Sequence, residues 1–160
     1  MKKNFIIFIC LILFVTSACA NGNSSSRSSG TRGLSDMKIK IEITSDSGSH
    51  TLTATLADNS SARAFYELLQ KGSIRVAMHD YGNFEKVGSL PSSLPRNDTQ
   101  ITTEPGDIIL YQGNQITFYY DINSWNFTLL GKIDGITKAE LKKILGKGNV
   151  TAVLSIQTSD

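Results

Sequence analysis

The residues best equipped for chemistry crowd into one stretch, His79–Pro95, which reads His-Asp-Tyr-Gly-Asn-Phe-Glu-Lys-Val-Gly-Ser-Leu-Pro-Ser-Ser-Leu-Pro. Tyr81 and Phe84 offer contact area to a bound molecule, while Glu85 and Lys86 offer an acid and a base to orient it. Trp125, the only tryptophan, sits between Ser124 and Asn126 in a polar segment. An indole in such company marks either a binding surface or a lid packed over the end of a domain. Tyr81, Phe84, Glu85, Lys86 and Trp125 are therefore the candidate ligand-binding residues. A plainer reading makes the stretch a shaped connection. Gly82 and Gly88 would then supply unusual backbone angles, Pro91 and Pro95 would stiffen the exit, and Glu85–Lys86 would be a solvated pair.

The chemistry on offer is binding rather than catalysis. His50 and His79 are the only histidines, and neither lies in the acid-rich spacing of a metal site. His79 and Asp80 are neighbours on a strand-like segment, so their side chains point to opposite faces and form no dyad. No Gly-x-Ser-x-Gly elbow and no glycine-rich phosphate loop occurs. No catalytic residue, metal ligand or cofactor is assigned.

Charge narrows the partners. The chain has 16 basic and 14 acidic residues, and without Lys2 and Lys3 the two counts are equal. A balanced domain lacks the basic excess that holds a phosphate backbone, so nucleic acid is not an expected partner. Lys2 and Lys3 open an export signal: Phe5–Val15 is a nearly unbroken apolar run, too short for the roughly 20 residues of a membrane span. The run ends in Thr16-Ser17-Ala18-Cys19, which resembles a bacterial lipobox with Thr16 where Leu is usual. The alternative is an ordinary signal peptide cut after Ala18 or Ala20. Cys10 and Cys19 are the only cysteines, so the folded part has no thiol for a disulfide or a zinc site. The expected organisation is a signal peptide over 1–18, a lipidated Cys19 with a Ser/Gly tether over 19–36, and a folded domain over 37–158. The expected partner at that end is the membrane, through the lipid on Cys19. The expected location is the bacterial cell envelope, at the outer membrane or cell surface.

The elements that position the candidate residues follow from periodicity. Lys38–Ile43 alternates polar and apolar residues, and Thr51–Leu56 returns after a turn at Ser45–Ser49 as the second arm of a hairpin. Asp58, Asn59 and Ser60 offer caps to a helix over Ala62–Leu69, with Phe65, Leu68 and Leu69 on one face and Gly72 as its stop. Ile74–His79 alternates again. Arg96–Glu104 reads as a polar loop, Ile108–Tyr111 and Gln115–Tyr120 as a second hairpin, and Asp121–Asn126 as the loop holding Trp125. Phe127–Ile133 reads as a strand broken near Gly131, and Thr137 caps a helix over Lys138–Leu145 that ends at Gly146. Asn149–Thr158 closes the series as a strand. Of the remaining aromatics, most are expected in the core, because Phe118 and Tyr120 share a strand face. Seven or eight short strands with two helices predict a mainly β fold, a closed antiparallel barrel of about eight strands with two short helices.

Laid out in this way, residues 37–158 resemble the bacterial cyclophilin-like domain family. The resemblance rests on Lys38–Ile43, Ala54-Thr55-Leu56-Ala57-Asp58-Asn59, Tyr81-Gly82 followed by Glu85-Lys86 and Gly88, Leu90-Pro91 with Leu94-Pro95, Pro105-Gly106-Asp107-Ile108, Phe118-Tyr119, and Leu130-Gly131-Lys132-Ile133. It implies a barrel capped by two helices, like that of the cyclophilin isomerases. Those enzymes twist a prolyl amide with an arginine followed, five and eight residues on, by phenylalanine and glutamine. None of Arg27, Arg32, Arg63, Arg75 and Arg96 has those followers. The leading expectation is thus an exported, lipid-anchored domain that binds a small ligand or peptide through a 79–95 loop. The alternatives are a divergent peptidyl-prolyl isomerase and a non-catalytic protein-interaction lipoprotein.

Overall fold

The computed structural model describes residues 37–158. The expected signal peptide, the lipidation at Cys19 and the 19–36 tether lie outside the described residues. Nine strands and two helices follow within them. β1 (Lys38–Ser45) and β2 (Gly48–Leu56) pair in register from Lys38↔Thr55 to Ser45↔Gly48. α1 (Ser60–Gln70) begins where the Asn59 side chain accepts the Ala62 N–H at 2.8 Å. β3 (Ile74–Tyr81), β4 (Glu85–Ser89), β5 (Thr99–Thr102), β6 (Asp107–Tyr111), β7 (Gln115–Tyr119) and β8 (Ser124–Ile133) come next. α2 (Lys138–Leu145) opens with a capping box between Thr137 and Glu140, and β9 (Val150–Ile156) ends the series.

Eight of the strands close on themselves in the order β2-β1-β9-β3-β4-β7-β6-β8, each pair antiparallel, and β8 returns to β2 through Ala54↔Ile133, Thr55↔Lys132 and Leu56↔Gly131. Closure leaves no barrel edge to pair with other chains. Gly131 makes it possible: a Cβ there would stand 2.5 Å from the Thr55 carbonyl oxygen. The expected break near Gly131 is instead a bulge, where β8 slips by one residue against Ile108/Ile109 of β6 and turns toward β2.

Alternation fills the barrel. Ile39, Ile41 and Ile43 of β1, Val76 and Met78 of β3, Ile116 and Phe118 of β7, and Ala152 and Leu154 of β9 all point inward and are buried. α1 contributes Ala62, Phe65 and Leu69 to the same cluster, and α2 contributes Leu141 and Leu145. Each large apolar side chain so buried is worth about 1.5–3 kcal/mol of transfer free energy.

Three expectations change here. Arg96–Glu104 holds β5, a ninth strand outside the barrel, pairing with the start of β8 from Thr99↔Phe127 to Thr102↔Ser124. Trp125 is consequently a strand residue opposite Ile101, not a loop residue. The 79–95 stretch changes as well. It is mostly a hairpin, β3 to β4, with a tight turn at Gly82–Asn83 and an irregular exit only after Ser89. Among the described residues no helix is long and apolar enough to cross a membrane.

Candidate functional site

The β3–β4 hairpin sets the site. Its register is Tyr81↔Glu85, Asp80↔Lys86 and His79↔Val87. Gly82 and Asn83 both have positive φ, 60° and 58°, and the Phe84 N–H donates to the Tyr81 carbonyl at 3.3 Å. This is a type I′ turn, whose twist matches that of the strands it joins. Gly82 is required twice over, because a Cβ at this position would lie 2.2 Å from Phe84 Cε1. The Phe84 ring is folded back over its own turn.

From there the residues alternate between the two faces of the sheet. His79, Tyr81, Glu85 and Val87 point out of the barrel, together with Tyr119 of β7, Tyr111 of β6 and Phe127 of β8. They line a concavity of about 450 Å³ on the outer face of the sheet, with Gln115 and Asn123 as its polar rim. The rings touch in sequence. Tyr81 meets Phe84 edge-on at 5.9 Å, Phe84 stacks on Tyr119 at 6.0 Å, Tyr119 tilts against Phe127 at 5.6 Å, and Phe127 meets Tyr111 at 6.5 Å. Tyr119 and Phe127, with Ile109, form a small apolar cluster separate from the barrel core. Tyr81 and Trp125 stand more than half exposed at the mouth.

Glu85 is the polar centre of that concavity. The residue is only 8% exposed, and its Oε2 has no hydrogen-bond partner among the described residues. Burial pushes its carboxyl above the ordinary value; the Tyr119 hydroxyl opposes the shift and the Asp80 charge adds to it. Burial and the neighbouring Glu85 in turn push the Tyr119 hydroxyl above its ordinary range, so it stays a protonated donor. Asn123 donates to that hydroxyl at 3.4 Å.

Lys86 and Asp80 point the other way. Lys86 is fully buried at one end of the barrel, where its Nζ donates to Asp80 Oδ2 at 2.8 Å and to the Gly148 carbonyl at 2.7 Å. The Tyr120 hydroxyl donates to the same Asp80 oxygen at 2.7 Å, and the ammonium lies 6.0 Å from the Tyr120 ring centroid. Burial raises the Asp80 carboxyl, but the bonds from Lys86 and Tyr120 and the Lys86 charge outweigh it and hold the group below its ordinary value.

Of the five candidates, then, Tyr81, Phe84, Glu85 and Trp125 share one concavity, and Lys86 lies behind the sheet from them. A solvated Glu85–Lys86 pair does not form, because both residues are buried. Tyr111, Tyr119 and Phe127, expected among the core aromatics, are wall residues. The signal for Tyr119 was in the sequence: if Phe118 and Tyr120 face in, the residue between them faces out. His50 is remote from His79, on β2 beside Ser47. Among the described residues no group of three or more His, Cys, Asp or Glu side chains is placed to hold a metal ion.

The solution structure of the hypothetical protein AF2241 from Archaeoglobus fulgidus aligns with a TM-score of 0.58, at 15% identity, over 80% of this chain and 99% of that one. The structure of McbB in complex with tryptophan aligns with a TM-score of 0.52, at 14% identity, over 76% of this chain and 45% of that one. These likenesses are of fold. A search among curated proteins gives no match. The model of the Cyclophilin-like family matches residues 45–155, from the first turn to the last strand of the closed barrel, and the chain belongs to that family.

Proposed function

We propose that the protein is an exported, lipid-anchored binding domain that takes a small ligand or a peptide segment into the concavity around Glu85. One observation carries this reading. A carboxyl oxygen sits buried and unpartnered inside a wall of aromatic rings. Leaving a buried acceptor unpaired costs about 1–3 kcal/mol, and more if it is charged, so a core built only for stability has no reason to keep it. A ligand that donates to Glu85 restores the missing bond. The size suits a small molecule, since such sites run from about 300 to 1,000 Å³. That McbB, a protein of similar fold, has been solved with tryptophan supports the same direction. Among the described residues no arginine lines the concavity, which favours binding over arginine-dependent isomerisation of a prolyl amide. The lipid anchor is proposed from the sequence of residues 1–19 alone.

The sole tryptophan makes the test direct, because Trp125 is in the wall. Titration with a library of small aromatic compounds and X-Pro peptides is expected to change Trp125 emission saturably and to shift the NMR signals of Tyr81 and Glu85. If no compound perturbs these three residues, the binding function is wrong. In a coupled assay on X-Pro peptides the expected rate is the uncatalysed one. Replacing Cys19 by Ser should release the protein from the membrane fraction.

A further inference from the structure

The wall of the concavity narrows the kind of ligand, and the following step rests on the binding reading above. The acceptor Glu85 Oε2 is buried and unpartnered. Among the described residues no lysine or arginine supplies its counter-ion. Lys86, adjacent in the chain, is on the opposite face of β4 and already bonded to Asp80 and Gly148. Among the described residues His79 is the one base in the wall. What surrounds the carboxyl is aromatic, with the Tyr119 ring in contact with both Phe84 and Phe127 and with Trp125 at the mouth.

Such a site has a charge preference. An anion would be repelled by Glu85 and would find no donor of opposite sign. A neutral hydroxyl could satisfy the oxygen but would leave the carboxylate charge uncompensated. A protonated amine does both: it donates N–H to Oε2 in a charge-assisted bond, and aromatic rings attract cations. The rest of such a ligand would cover the apolar wall. From this arrangement we infer that the concavity binds a primary ammonium carried on an apolar body, with Glu85 as its counter-ion. A free arylalkylamine and a lysine side chain share that chemistry.

The test uses matched probes on the full-length protein, read by calorimetry and Trp125 emission. Phenethylamine and 2-phenylethanol share ring and chain length and differ in the ammonium. The amine should bind about tenfold tighter or more, because its bond to the carboxylate is charged on both sides whereas the alcohol's is charged on one. Nα-acetyl-lysine amide is the third arm, and whichever of the two amines binds tighter indicates the source. Glu85→Gln, with its folding checked by thermal melting, should bring amine and alcohol to parity. Equal binding of amine and alcohol by the wild type would overturn the ammonium assignment and leave the binding function standing. An amine preference that survives Glu85→Gln would overturn the role of Glu85. If none of the three probes binds, the ammonium assignment is also overturned, and the broader library decides the binding function separately.

Discussion

Glu85 and Lys86 are neighbours on one strand, both buried, and opposite in every other respect. Lys86 faces the barrel end, where Asp80 of β3, the Gly148 carbonyl and the Tyr120 ring satisfy it from three separate parts of the chain. Glu85 faces the outer concavity, and one of its oxygens has no hydrogen-bond partner among the described residues. A complete network around a buried charge holds a structure in register. An incomplete one, walled by aromatic rings, is what the proposed binding role requires. The contrast separates a structural site from the proposed binding site without reference to any known relative.

Removing Lys86 should give the largest effect. Lys86→Ala removes the counter-ion of Asp80, leaving it the Tyr120 hydroxyl, unpairs the Gly148 carbonyl from Nζ and opens a cavity at the barrel end. Breaking one partner of a buried pair typically costs about 3–5 kcal/mol, so chemical denaturation should show a loss of that order. Asp80 is a quarter exposed, which places the expected value toward the lower end. Glu85→Ala or Glu85→Gln should lack any such penalty. A loss at Glu85 as large as that at Lys86 would erase the distinction.

Gly82→Ala should come next. It strains a residue at φ 60° and drives a methyl group into the Phe84 ring. Overpacking of this kind costs about 1–3 kcal/mol. Because Phe84 stacks on Tyr119, the displaced ring should also weaken ligand binding, which a change confined to the barrel end would not do. The two readouts should move together in this variant and separately in Lys86→Ala.

The pH dependence of stability should carry opposite signs for the two sites. The folded Glu85 carboxyl is raised above its unfolded value, so the folded state holds its proton more tightly there. Its contribution is fully present below the unfolded value and is lost as pH rises through the raised one. Asp80 is depressed, so its contribution is present above the unfolded value and is lost as pH falls through the folded one. Glu85→Gln should therefore gain stability relative to the wild type toward neutral pH and match it in acid. Lys86→Ala should flatten the acid limb. Urea melts across the carboxylate range measure both, and a neutral-side gain absent from Glu85→Gln would show that the carboxyl is not strained by burial.

Much of the fold was legible in the sequence, because the barrel announces itself through strands of period two and through helix caps. Asn59 and Thr137 cap the helices where their side chains suggested, and β1, β3 and β9 carry their apolar residues on alternate positions. β5 was hidden because Thr-Gln-Ile-Thr offers one apolar residue in four, and only the partner strand makes it a strand. The site was half legible. Residue types pointed to Tyr81, Phe84 and Glu85, but Glu-Lys-Val-Gly-Ser has no apolar alternation from which to tell inside from outside. Only the register with β7, Glu85↔Tyr119 and Lys86↔Phe118, fixes which face each takes.

The smallest expected effect on stability sharpens the comparison most. Trp125 is 62% exposed and pairs only with β5, outside the barrel, so Trp125→Ala removes little buried area. Surface changes of this sort usually stay within about 0.5 kcal/mol. Binding should respond differently. At the mouth of the concavity the indole contributes contact area and an aromatic face, and its loss should weaken an ammonium ligand about tenfold, as aromatic anchors at binding sites commonly do. NMR shifts of Tyr81 can follow that titration in the absence of the fluorophore. A variant with unchanged melting and weakened binding locates function on the outer face, while unchanged melting with unchanged binding would make Trp125 an ornament of β8. Lys86→Ala is the mirror case, with melting lowered and the ligand still bound at temperatures where the barrel survives.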